Sequence, residues 1–142
     1  MRTSVLALAI SGLLALAVPA VAAAPKAGPW KGRNAQTLTV AFSVKAGKIV
    51  AFRGSVRMFC TGGGGFEFRA IYQRTAMPIR AGRFKFKGKE KDGTEYSITG
   101  RISGGKASGT MSHSATHYDA AEQQFQFCNS NDVKWTATPA RR

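Results

Sequence analysis

The chain has 142 residues, of which 21 are lysine or arginine and only 7 are acidic, for a net charge of +14. That length suits one domain, in which a chain of this size buries roughly two-thirds of its unfolded surface. Seven carboxylates leave little for hydrolysis by paired acids, and beyond the N-terminal region no segment is apolar over the length a membrane-spanning helix needs.

The first residues have the three parts of a secretory leader. Arg2 is the positive start, Val5 to Val18 the apolar run, and Val21 and Ala23 the small residues before a cut after Ala23. The apolar run is too short to span a bilayer comfortably. With no cysteine near the boundary to carry a lipid, the expectation is a signal peptide at 1–23 and a single all-β domain at 24–142. That domain should be soluble and exported to the periplasm, wall or medium.

From residue 37 onward apolar residues recur at every second position between glycine-rich turns, which predicts strands throughout. Leu38, Val40, Phe42 and Val44 form one row. A Lys-Ala-Gly-Lys turn leads to Val50, Phe52, Val56, Met58 and Cys60, with Val44 expected opposite Val50 and Phe42 opposite Phe52. Gly62 to Gly65 lacks the Lys and Ser or Thr of a phosphate loop and reads as a turn. Shorter strands are expected at 66–72 and 77–80.

The segment from Arg83 to Ile102 is a better-defined meander. A three-residue loop of Lys91, Asp92 and a left-handed Gly93 sets Phe86 opposite Ile98, Tyr96 over Gly88 and Lys89 opposite Glu95; a two-residue turn would mix the faces. Gly104-Gly105 then pairs Ile102 with Ala107, Gly100 with Gly109 and Ile98 with Met111. Residues 112–123 show no clear period and are expected to be a long functional loop. Strands at 124–128 and 133–138 complete eight or nine, an antiparallel β-sandwich or compact β-barrel.

Cys60 and Cys128 are the only cysteines. An even count in an exported chain predicts one disulfide, and closing so long a loop stabilises by about 4 kcal/mol on the chain-entropy model. Trp30-Lys31-Gly32 before the first predicted strand, Gly100-Arg101-Ile102, Ala107-Ser108-Gly109-Thr110, the two cysteines and Trp135-Thr136-Ala137 together give an arrangement that resembles small, uncharacterised secreted all-β bacterial proteins with one disulfide. The resemblance implies fold and export, and it carries no functional residue with it.

The most distinctive local feature is RFKFKGKEK. Arg83, Lys85, Lys87, Lys89 and Lys91 alternate with Phe84 and Phe86, so a strand here makes one basic face, extended by Arg101 opposite Arg83. Such a face attracts polyanions, although lysines on alternate positions also blunt a sheet edge. Dedicated nucleic-acid binding is not expected, because the rings in this stretch alternate inward, away from the charge.

His113, His117, Asp119 and Glu122 are the alternative site, for a metal or a catalytic centre near 112–122. If the strand continued to His113, that ring would turn inward beside Tyr96 as a hydrogen-bonded core histidine. Glu67, Glu90, Asp92 and Glu95 project from outward faces or turns, and no serine sits in a nucleophile elbow. The reading is a secreted, non-catalytic basic module without a cofactor, adhering to an anionic polymer or surface. A site near 112–122 and a protein-binding or inhibitory loop are the alternatives.

Overall fold

The computed structural model describes residues 24–62 and 65–141. The leader assigned to 1–23 and the centre of the glycine run, Gly63 and Gly64, lie outside the described residues. Ten strands make one antiparallel sheet: β1 (Gly28–Asn34), β2 (Thr39–Lys45), β3 (Lys48–Cys60), β4 (Phe66–Gln73), β5 (Met77–Pro78), β6 (Arg83–Lys89), β7 (Glu95–Ser103), β8 (Lys106–Asp119), β9 (Gln124–Asn129) and β10 (Val133–Pro139). Among the described residues no helix is long and apolar enough to cross a membrane.

The order along the sheet is β10-β1-β2-β3-β9-β8-β7-β6, with β4 and β5 on the other edge of β3 and a further pairing of β10 with β8. The long strand β8 explains the closure. One of its edges pairs with β7, and the other pairs first with β10 (Ala107↔Ala137 to Met111↔Val133) and then with β9 (Ser114↔Asn129 to Asp119↔Gln124). The sheet thereby curls round a single core, and Phe42 on β2 comes within 6.3 Å of Phe84 on the far strand β6. This curled single sheet is the barrel-like of the two expected forms.

Two segments differ from expectation. The segment around Trp30 is itself a strand, β1, whose short row is hidden in sequence by its proline and glycines. Residues 112–119 are the second half of β8 and not a loop, leaving only a turn at 120–123. Their alternation is real, but the inward positions there are His113, Ala115 and His117, which carry no hydrophobic signal.

The β2–β3 register also differs. Ala46 and Gly47 both have positive φ (47° and 68°) and form a two-residue turn that pairs Val44 with Ile49 and Ser43 with Val50. Ala51, at φ 51°, then marks a bulge in which Ala51 and Phe52 together face Phe42. The extra residue returns Phe52 to the inner face, where it stacks on Phe42 at 5.9 Å. The β6–β7–β8 meander follows the expected register throughout, including Phe86↔Ile98, Gly88↔Tyr96 and Ile102↔Ala107. Gly93 has φ 85°, and the rings of Tyr96 and Phe84 occupy the space that a side chain at Gly88 or Gly100 would need.

Trp30, Phe42, Phe52, Phe84 and Trp135 make the aromatic heart of the core, with neighbouring centroids 5.8 to 6.3 Å apart. Burying each such ring contributes about 1.5–3 kcal/mol before ordering costs. Where β2 leaves the edge of β3, the turn after β1 takes over. The Gln36 side-chain amide donates to the Arg57 carbonyl (3.0 Å) and accepts from the Arg57 amide (2.7 Å), and Asn34 Nδ2 donates to the Ser55 carbonyl (2.8 Å). Beyond it the edge passes to β9 at Phe59↔Asn129 and Cys60↔Cys128, where the disulfide closes the seam.

Candidate functional site: a basic, hydroxyl-lined outer face

On β6 the inward residues Phe84 and Phe86 alternate with Arg83, Lys85, Lys87 and Lys89, which are all exposed; Lys91 is exposed in the following loop. Arg101 stands opposite Arg83 and is exposed as well. Going across the sheet, Lys85 faces Thr99 and Lys87 faces Ser97, and β8 sets Thr110 and Ser112 against those two. The hydroxyls pair as Thr99 Oγ1···Thr110 Oγ1 and Ser97 Oγ···Ser112 Oγ, each 2.8 Å. Lys134 of β10, opposite Thr110, puts an exposed positive charge on the far side. The result is a shallow surface with a hydroxyl floor and cationic borders.

A depression of about 560 Å³ lies over this floor, lined by Lys87, Lys89, Ser97, Thr99, Thr110 and Ser112 among others. A second, of about 730 Å³, adjoins it beside Arg80, Arg83, Lys85 and Arg101. Glu95 and Asp132 are the carboxylates that line the first depression, and Glu95 is the one opposite the lysines of β6. Glu95 accepts from Lys89 Nζ at 2.8 Å, a contact that holds the Glu95 carboxyl below its usual pKa and raises Lys89. Flexible cations beside fixed hydroxyls can hold sulfate, phosphate or carboxylate groups along a chain without any covalent chemistry. β6 also ends the sheet path, so the same lysines guard an open backbone edge.

The residues of the alternative site meet different neighbours. His113 is buried and stacks on Tyr96 at 6.3 Å, as the inward continuation of β8 requires, but its Nδ1 has no hydrogen-bond partner. Burial, and secondarily Arg69, push its pKa below the ordinary histidine value. His117 Nε2 is 3.6 Å from Glu67, and its Nδ1 is 3.9 Å from Cys128 Sγ. Asp119 accepts from the amides of Ala121 and Glu122 and from Gln126 Nε2.

Glu67 therefore corrects its expected outward placement. It is paired opposite the inward Met58, is half-buried, and meets Arg69 at 3.3 Å. Cys60, Glu67 and Cys128 lie close together, but the two sulfurs are bonded to each other and offer no thiolate.

A second surface escaped the sequence reading. Phe59, Phe66, Phe68, Tyr72, Tyr118, Phe125 and Phe127 are the large hydrophobic residues exposed to solvent among the described residues, and Phe125 is 74% exposed. All lie on the outer face of β4, β3, β9 and β8. The signal was available: with Met58, Cys60 and Cys128 inward, strand parity turns Phe59 and Phe127 outward.

Compared with known proteins, the chain matches no family model, and neither a curated protein nor a solved structure gives a significant match.

Proposed function

We propose that this protein is an exported, non-catalytic module that adheres through the outer face of β6 and β7 to an anionic polymer outside the cytoplasm. The observation that carries this reading is the exposed row Arg83, Lys85, Lys87 and Lys89, with Arg101 alongside and Glu95 to offset it. The paired hydroxyls of β7 and β8 add fixed donors and acceptors of the kind a sulfated or carboxylated polysaccharide meets. The separate partners of His113, His117 and Asp119 favour adhesion over a reaction centre near 112–122. The disulfide is compatible with a non-cytoplasmic setting.

Retention on heparin or phosphocellulose tests the reading. The protein should bind, elute with rising salt, and elute markedly earlier when Lys85, Lys87 and Lys89 are all changed to Gln, with its circular dichroism unchanged. Elution at the same salt by the triple variant would mean that this face is not the contact.

A further inference from the structure

The exposed aromatic face is independent of the basic one and has its own chemistry. Along β4 the outward residues Phe66, Phe68 and Tyr72 stand opposite Phe59, Arg57 and Arg53 of β3. Phe127 N donates to Thr61 Oγ1 just past β3, and Tyr118 is paired with Phe125, so the rings stand on the outer face of four neighbouring strands. The guanidinium of Arg57 lies over both Phe66 (4.9 Å) and Phe68 (5.3 Å), and those of Arg53 and Arg74 over Tyr72 (4.9 and 5.2 Å).

We propose that this face docks on an anionic lipid surface, the rings entering the interface and the guanidiniums meeting headgroup phosphates. Three observations select that occupant. The rings are crossed: Phe66 and Phe68 stand at 88° and Tyr118 and Phe125 at 65°, so neighbours do not form the parallel plates that stack successive bases or sugar rings. Five of the seven are phenylalanine, which offers depth of apolar contact and no hydrogen bond for a sugar hydroxyl.

The charge is also complementary to phosphate. Glu67, the carboxylate on β4, turns inward to Arg69 and His117. At the rim Asp119 is engaged by the amides of Ala121 and Glu122 and by Gln126, which leaves Glu122 in the turn between Tyr118 and Phe125. Guanidiniums held against the rings put positive charge within the aromatic face itself, where acyl chains give way to headgroup phosphates.

Co-sedimentation of the purified protein with phosphatidylcholine vesicles, with and without phosphatidylglycerol, tests the proposal. Binding should require the anionic lipid. Phe125→Ala with Phe127→Ala should lower partitioning by about tenfold for each ring, while Phe125→Trp keeps binding and shifts its emission to the blue on vesicles.

Changing Lys85, Lys87 and Lys89 to Gln leaves the ring-dependent part in place, so failure here and failure of the polymer reading are told apart. Because the substituted rings are exposed, the folded state should survive, with circular dichroism as the check. Equal partitioning by the double variant overturns the proposal. So does a dimer, or retention on single-stranded nucleic acid, that disappears in the double variant while vesicles go unbound.

Discussion

At the scale of single residues, Asn34 and His113 show how polar side chains complete an apolar sheet. Asn34 is buried, accepts from the amides of Gln36 and Leu38 (both 3.0 Å) and donates to the Ser55 carbonyl, so one side chain serves both the turn and the free edge of β3. Asn34→Ala should cost about 2 kcal/mol, because it leaves two amides and a carbonyl without their partner; an unchanged urea midpoint would contradict this. His113 is held in the neutral form by burial, so the unfolded chain binds its proton more readily. The stability it confers is complete above the ordinary value of 6.5 and is lost as pH falls below that through the depressed native value. Unfolding midpoints measured down through this range should therefore decline, and His113→Phe should flatten the decline. A decline of the same slope in the variant would assign it elsewhere.

At the scale of elements, the β3–β9 seam has the fewest paired residues of the joins that close the curled sheet. Only Phe59↔Asn129 and Cys60↔Cys128 pair there, and the disulfide spans a sequence separation of 68. Replacing both cysteines by alanine should cost about 4 kcal/mol, read from denaturant midpoints; a loss below about 1 kcal/mol would show that the curled sheet holds its seam by packing alone.

This seam also marks how far the sequence could be read. The β6–β7–β8 meander was legible residue by residue, because glycines at 93, 104 and 105 with positive φ left one register that kept Phe86, Ile98 and Met111 on the same side. The β2–β3 hairpin was only partly legible, because the bulge at Ala51 adds a residue that no turn signal announces. The second half of β8 was not legible as a strand: histidine, alanine and serine alternate there without contrast in hydrophobicity. Of the basic site, the row on β6 could be read from alternation. The hydroxyl floor was implicit in the same β7–β8 register, which sets Ser97 against Ser112 and Thr99 against Thr110. Its far cationic border could not be read, since Lys134 of β10 comes beside Thr110 only through the long-range β8–β10 pairing.

At the scale of the whole molecule, one curled sheet presents two chemically distinct outer surfaces, separated along the strand order. One, on β6, β7 and β8, combines cations with hydroxyls; the other, on β4, β3, β9 and the end of β8, combines rings with arginines. A net charge of +14 draws either surface toward anionic matter at long range, with the local residues deciding which kind is held. The claim on which the functional account depends is that the β6 row makes the polymer contact. It is tested most directly by the anisotropy of a labelled sulfated polysaccharide, titrated with wild-type protein and with the Lys85, Lys87, Lys89→Gln variant over a series of salt concentrations. The account predicts that wild-type affinity falls steeply with salt and that the log–log slope in the variant is shallower by roughly two to three, as expected when three cations no longer displace counterions. Parallel lines for the two proteins, or an affinity indifferent to salt, would contradict it.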